Sequence, residues 1–215
     1  MKPYKYILLD WDGNIAKTLD VWLEAIRLVL DKRGVKRTDH EIGTSFGALA
    51  LQLEIWGISD VDEAITEAFM HATALMPAVE LYPDPDALEV LEYLHDIGKK
   101  LALITTSGHI ELDELVDKYD LWRLFSIVVT GDDVTHHKPH AEPIEAALEL
   151  LGGNKDEAIM IGDSDKDLGS AKNADVGSIL FFPAEHHRFY DIAKLRAQKP
   201  TYVVEDFREI MKIIV

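Results

Sequence analysis

Short, almost continuous runs of apolar residues recur along the chain and predict β-strands. Five strong runs and a weaker sixth are present: Tyr6–Leu9, Leu101–Thr105, Ile127–Thr130, Ala158–Ile161, Ile179–Phe182 and Tyr202–Val204. Continuous rather than alternating hydrophobicity is typical of strands buried on both faces of a parallel sheet. Helical patterns separate most of the runs, for example Ala87–Ile97 before Gly98 and Glu142–Leu151 before Gly152. This alternation predicts an open α/β sheet with crossover connections.

One interval, between the first strand and the helix at Ala87, has no pattern that favours a strand. Residues 19–30 carry apolar side chains at helical spacing. Thr38 and Glu41 predict a capping box for a second helix, and a third is expected after Asp60. The interval is therefore predicted to be helical.

The interruption divides the chain into two kinds of sequence. Residues 16–80 are predicted to form a small helical domain. Residues 1–15 and 81–215 are predicted to form the α/β core into which that domain is inserted.

Composition and charge narrow the classes of function. The chain has 215 residues, with 22 Lys and Arg against 39 Asp and Glu, a formal net charge of −17 and no cysteine. Such a charge argues against nucleic acid or an anionic membrane surface as a partner. The lack of cysteine excludes disulfides and thiolate metal sites. With no apolar run of membrane-spanning length and no leader pattern before the first strand, we expect a soluble, cytoplasmic protein.

The first strand ends in two acids, Asp10 and Asp12, followed by Gly13. Side chains alternate along a strand, so both carboxylates project to the same side, roughly 6–7 Å apart. In open α/β sheets the ligand crevice lies at the carboxyl ends of the strands. Two close carboxylates repel each other unless a cation or a shared proton relieves them. Taken alone, the motif is equally compatible with an acidic turn.

A second acidic loop, Gly-Asp-Ser-Asp-Lys-Asp, follows the fourth predicted strand. Its acids Asp163, Asp165 and Asp167 imitate the start of a calcium loop, but Leu168 and Ala174 occupy positions that such a loop gives to Gly and Glu. Magnesium instead prefers a few carboxylates, waters and substrate phosphate oxygens. We expect Asp163 to lie at the same sheet edge as Asp10, and Asp165 to cap the following helix.

Two further strand ends carry polar groups. The second strand runs into Thr105-Thr106-Ser107-Gly108, where hydroxyls and backbone N–H groups can hold an anion. The third leads to Lys138. Each feature by itself is usually structural.

Together, in this order, the four elements resemble the motifs of the haloacid-dehalogenase superfamily of phosphohydrolases. The chain reads Asp-Trp-Asp-Gly-Asn at the first motif, Thr105 at the second, Lys138 at the third and Gly-Asp-Ser-Asp-Lys-Asp at the fourth. The helical insertion is similar in position to the cap of the branch that contains phosphoglycolate phosphatase and β-phosphoglucomutase. The resemblance spans nearly the whole chain and implies a Rossmann-like parallel core with a helical cap.

The resemblance also implies roles for the acids. Asp10 would attack phosphorus and form an aspartyl-phosphate, and Asp12 would protonate the leaving oxygen and then activate water. Mg²⁺ would be held by the Asp10 carboxylate, the Asp12 carbonyl and Asp163. Asp167 would support these ligands without being one of the three direct contacts to the metal.

For the phosphate, the resemblance implies binding by Thr105, the Thr106 amide and Lys138, which neutralises charge. The expected activity is that of a magnesium-dependent phosphatase for a small phosphorylated metabolite. A phosphomutase and a non-catalytic binding module on the same scaffold stay open as alternatives. A dehalogenase is disfavoured because Asp12 and Asp163 would have no evident use without a metal.

Some positions depart from the family pattern or suggest other sites. Asn14 and Lys17 stand where the family usually has Thr and Asp, near the hinge to the cap. Five histidines follow in two groups: His136, His137, His140, His186 and His187. Their spacing matches no standard zinc site, so we expect loop histidines, with His137 as a candidate for lining the cleft.

Overall fold

The apolar runs form a parallel sheet in the structure, a computed structural model that describes residues 4–82 and 86–214. The six strands of the sheet are β1 Tyr6–Leu9, β2 Lys100–Ile104, β3 Phe125–Val129, β4 Ala158–Gly162, β5 Gly177–Phe181 and β6 Tyr202–Val204. Their order is β3-β2-β1-β4-β5-β6, and each neighbouring pair is parallel. The predicted α/β fold class is confirmed.

Helices cover both faces of the sheet. The helices are α1 Leu19–Lys32, α2 Asp39–Gly43, α3 Leu49–Ile55, α4 Val61–Leu75, α5 Asp86–Asp96, α6 His109–Lys118, α7 Glu142–Leu151, α8 Asp165–Ala174, α9 Ile192–Ala197 and α10 Glu209–Ile214. Because side chains alternate along β1, Ile7 and Leu9 pack with α5, α6 and α10, whereas Tyr6 and Leu8 pack with α7 and α8. In the described part of the chain, no helix is long and apolar enough to cross a membrane.

Local patterns located most elements, but within the insertion they missed a helix. The bounds of β1, β6 and α7 are those predicted, and the capping box of Thr38 and Glu41 is present at α2. The missed element, α3, has apolar residues at every second position, which is not a helical signal. Two of them, Leu51 and Ile55, are 61% and 65% exposed, so packing on α4 and not an apolar stripe holds this helix.

Helices α1 to α4 lie between β1 and α5 and have an apolar cluster of their own, which includes Ile26, Leu30 and Leu53. The two chain segments that enter and leave this insertion run antiparallel, with Ala16 bridged to Leu81. We propose residues 16–80 as the helical unit, since the bridge between Ala16 and Leu81 lies at its predicted limits. The unit's core also takes in Phe189, from the segment after β5.

Candidate active site

The carboxyl ends of the central strands bring the predicted site residues to one edge of the sheet. β1 lies between β2 and β4, so Asp10 follows the middle strand of three. Its backbone N–H donates to the carbonyl of Ile161 in β4 at 2.9 Å. Thr105 and Asp163 directly follow β2 and β4, and Lys138 reaches the same edge from the segment after β3.

Three buried carboxylates and one buried lysine lie together at this edge. Ligand atoms of Asp10, Asp163 and Asp167 lie within 4.8 Å of one another. Lys138 Nζ donates to Asp10 Oδ1, to Asp167 Oδ1 at 2.7 Å and to the Ile104 carbonyl at 3.1 Å. The structure thus brings together the first, third and fourth predicted motifs.

Burial and mutual repulsion set the electrostatics of this cluster. Burial, followed by the charge on Asp167, raises the pKa of Asp10 to about 7 against the opposing pull of Lys138. Burial, followed by the charges on Asp167 and Asp10, raises the pKa of Asp163 well above its ordinary value. Burial opposes the charge on Lys138, but the carboxylates of Asp10 and Asp167 outweigh it and raise the lysine's pKa. One lysine therefore leaves this cluster short of positive charge.

The donor set fits a magnesium ion. Asp163 Oδ2 is buried without a hydrogen-bond partner, so it is an oxygen ligand that the protein itself does not satisfy. Gly13 lets this oxygen approach, because a Cβ at that position would lie 2.3 Å from Asp163 Oδ2. Buried carboxylates that lack compensating charge are suited to a hard divalent cation.

Asp167 has a different position from Asp10 and Asp163. Its Oδ1 accepts from Lys138, and its Oδ2 accepts from the Ser164 N–H at 3.1 Å and hydroxyl at 2.6 Å. The side chain thereby caps α8 and holds the lysine. The expected cap at Asp165 is wrong: the N-cap is Ser164, and Asp165 is the first residue of α8.

Asp12 is half-buried and held by two hydroxyls. Its Oδ1 accepts from Thr18 Oγ1 at 2.6 Å, and its Oδ2 accepts from Ser107 Oγ at 2.9 Å. Thr18 lies just before α1, whereas Ser107 follows β2. The sequence motif at the end of the first strand predicts neither contact. The Ser107 contact spans 95 residues of sequence, and no local pattern encodes it.

The turn after β2 forms part of the cavity wall. Thr105 is buried, and its Oγ1 accepts from the Ser107 N–H at 3.0 Å, which fixes the turn. Thr106, Ser107 and Gly108 line the cavity. The backbone after the strand is thus placed where it can meet a bound anion.

The two departures from the family pattern have identifiable contacts. Asn14 is buried, and its Nδ2 donates to the Asp10 carbonyl at 3.0 Å, so it braces the backbone of the first motif. Lys17 Nζ lies 5.5 Å from the ring centroid of Tyr82, and it takes no part in the hydrogen bonds described for the acid cluster.

The histidines fall into three environments. His186 lies in the connection between β5 and α9, as expected, but it is fully buried, with Nδ1 3.8 Å from Asp163 Oδ2 and Nε2 3.1 Å from the Tyr82 hydroxyl. His136 and His140 stack at 4.7 Å on the surface, beside Glu142. His137 lines the cavity, as its position beside Lys138 suggested.

A cavity of about 670 Å³ opens over the acid cluster, between the strand ends and the helical insertion. The sheet side contributes charged and polar groups, among them Asp10, Asp12 and Lys138. Helices α1 and α4 contribute apolar side chains from the other side, including Trp22 and Phe69. The acid cluster therefore faces a space large enough for a small organic ligand.

Comparisons with known proteins agree with this architecture. The family model of the haloacid dehalogenase-like hydrolases matches residues 7–181. Pyrophosphatase PpaX of Bacillus mycoides is 34% identical over 97% of the chain and 95% of its own length. A candidate haloacid dehalogenase-like hydrolase from Bacteroides fragilis superimposes with a TM-score of 0.84 at 26% identity, covering 96% of this chain and 99% of its own.

A candidate phosphoglycolate phosphatase from Lactobacillus plantarum shares the fold, with a TM-score of 0.83 at 22% identity over 98% of this chain and 99% of its own. The family match covers most of the chain and includes β1, β2, β3 and β4, whose ends carry the four motifs. The chain belongs to the haloacid dehalogenase-like hydrolase family.

Proposed function

We propose that the protein is a magnesium-dependent phosphatase that hydrolyses a small phosphorylated metabolite through an aspartyl-phosphate on Asp10. The observation that carries the proposal is the buried cluster of Asp10, Asp163 and Asp167 around Lys138, with Asp12 beside it. The family and the names of the relatives support the same reaction class.

In the first step, an Asp10 carboxylate oxygen attacks phosphorus as the bond to the leaving oxygen breaks. Asp12 gives its proton to that oxygen, which departs as an alcohol. In the second step, Asp12 takes a proton from water, the water oxygen bonds to phosphorus, and the aspartyl–phosphorus bond breaks. Inorganic phosphate leaves, and the Asp10 carboxylate and the Asp12 proton are restored.

The surrounding residues position these two acids. Thr18 and Ser107 hold Asp12, while Lys138 fixes the Asp10 carboxylate and supplies positive charge beside it. The Thr105–Ser107 turn is available for the phosphoryl oxygens. Asp10 and Asp163 would hold the magnesium ion, which would supply charge neutralisation and polarisation of the phosphoryl group.

The reaction can be tested by trapping the phosphoryl group. The purified protein is mixed with Mg²⁺ and a phosphate monoester, quenched in acid, and examined by mass spectrometry for one added phosphoryl group on Asp10. Wild type should carry the label and release free phosphate, whereas Asp10→Asn should do neither, since an amide does not form the acyl-phosphate.

Two results would contradict the proposal. The first is undiminished turnover by Asp10→Asn, which would show that Asp10 is not the nucleophile. The second is full activity in excess chelator, which would show that the reaction needs no magnesium. A product that is an isomerised sugar phosphate in place of free phosphate would indicate a phosphomutase.

A further inference from the structure

The side of the cavity formed by the helical insertion is apolar. Large apolar side chains from α1, α4 and the turn before α3 line it: Leu19, Trp22, Ile26, Phe46, Ile65 and Phe69. Trp22 and Phe69 pack edge to face at 5.1 Å, which joins α1 to α4. Phe69 is nevertheless 41% exposed, so part of its ring is free to contact a ligand.

The two side-chain hydroxyls on this side are already engaged. The Thr44 hydroxyl donates to the Glu41 carbonyl at 2.6 Å, and the Ser45 hydroxyl donates to the Ile42 carbonyl at 2.6 Å. Among the described insertion residues that line the cavity, none has a charged side chain. This wall therefore offers no side-chain cation to a second anionic group and no free hydroxyl proton to a sugar.

The two lysines of the cavity are also engaged, both from the sheet side. Lys138 contacts Asp10 and Asp167. Lys166 Nζ donates to the Phe46 carbonyl, and it lies so close to Gly47 that a Cβ there would be 2.5 Å from Nζ.

Acidic groups outnumber these lysines. Five aspartates line the same cavity: Asp10, Asp12, Asp132, Asp163 and Asp165. The charges of a bound magnesium ion and of one phosphoryl group would compensate each other. Away from Lys166, a second negative group on the substrate would meet further aspartates or the apolar wall, and burying an unpaired charge is costly.

We propose that the substrate is a phosphate monoester whose leaving alcohol is uncharged and largely apolar, with a ring or branched chain that contacts Trp22 and Phe69. The cavity of about 670 Å³ has room for such a group beyond the phosphoryl site. The inference rests on the phosphatase function proposed above. It sets this chain apart from an enzyme for pyrophosphate or phosphoglycolate, both of which carry a second anionic group.

The test compares four substrates of the wild-type protein with Mg²⁺. They are 2-phenylethyl phosphate, glycerol 3-phosphate, phosphoglycolate and pyrophosphate. The first three are esters of primary alcohols, so their leaving groups are chemically alike. We expect kcat/KM for 2-phenylethyl phosphate to exceed that for each of the others by on the order of 100-fold, the effect of a matching apolar pocket.

A matched pair of variants locates the preference. Phe69 and Met70 are adjacent on α4 and both exposed, but only Phe69 lines the cavity. Phe69→Ala should lower the ratio of kcat/KM for 2-phenylethyl phosphate over glycerol 3-phosphate by about 10-fold. Met70→Ala should leave that ratio unchanged.

The outcomes separate the inference from the proposed function. Magnesium-dependent hydrolysis with pyrophosphate or phosphoglycolate preferred would overturn the inference and leave the phosphatase intact. An equal change of the ratio in both variants would also overturn it. If no ester is hydrolysed, the proposed function fails, and calorimetry still decides the inference. Tighter binding of 2-phenylethyl phosphate than of glycerol 3-phosphate would support it, and equal binding would overturn it.

Discussion

The two walls of the cavity are built in opposite ways. The sheet edge is charged and largely buried, and hydrogen bonds fix the positions of Lys138, which has three, and Asp12, which has two. The insertion wall is apolar, and side chains such as Phe69 are partly free. Under the proposed function, the sheet edge would supply the chemistry, which requires fixed charges, and the insertion would select the substrate by shape and polarity.

The two regions are joined by a few contacts from the sheet domain. Arg188, in the segment after β5, pairs with Asp20 on α1 and Asp39 on α2. The next residue, Phe189, enters the apolar cluster of the insertion, and Lys166 reaches the carbonyl of Phe46. Changes at the sheet edge should therefore reduce turnover strongly, and changes at these contacts should act weakly on substrate binding.

The largest effect is expected at the centre of the sheet edge. Lys138→Met removes the cation between Asp10 and Asp167, so turnover should fall on the order of 1,000-fold. Unfolding in urea should show a loss of about 3 kcal/mol, since a buried ion pair is broken and its partners stay buried. The combined variant Lys138→Met/Asp167→Asn should recover most of that stability but none of the activity. Recovery of activity would show that the lysine has only a structural role.

An intermediate effect is expected where Asp12 is held. Ser107→Ala removes one of its two hydrogen-bond donors, so kcat should fall about 10-fold with little change in KM. Ser107→Thr, which keeps the hydroxyl, should restore most of kcat. Ser126→Ala on β3 replaces a serine outside the cavity lining and serves as the control. A rise in KM without a fall in kcat would place Ser107 in substrate binding instead.

The smallest effect is expected at the contact between the regions. Arg188→Met should raise KM about 2-fold and change stability by less than about 1 kcal/mol, because the ion pairs are solvent-exposed and screened. The difference from wild type should shrink at high salt. Arg123→Met, which breaks a similarly exposed pair with Glu92 elsewhere on the core, should leave KM unchanged. Loss of most kcat in Arg188→Met would mean that the insertion also orders the reacting groups.

The pH dependence of this contact has a definite sign. Hydrogen bonds from Arg27 and Arg188 hold the pKa of Asp39 below its ordinary value. A carboxylate whose pKa is lowered by folding contributes stability above its unfolded pKa, and the contribution is lost as pH falls through the lowered value. The KM difference between wild type and Arg188→Met should therefore persist at neutral pH and disappear only in acid.

The sequence by itself determined the sheet and pointed to candidate reacting groups. Continuous apolar runs gave the strands, and the rule that ligands bind at the carboxyl ends of parallel strands selected Asp10, Asp12 and Asp163. Each acid lies within a few residues of the strand run that it follows, so a local pattern contains the signal. The division at residues 16–80 and the catalytic, binding and metal-holding roles of the site residues stay predictions.

Tertiary structure alone decided which side chains meet around those groups. The contact of Lys138 with Asp10 spans 128 residues and that of Ser107 with Asp12 spans 95, while buried His186 lies 3.8 Å from Asp163. It also decided that α3 is a helix despite its alternating pattern, and that Phe189 of the core completes the apolar cluster of the insertion. Spacing along the chain reports backbone periodicity, whereas these contacts depend on how separate elements pack, which no short segment encodes.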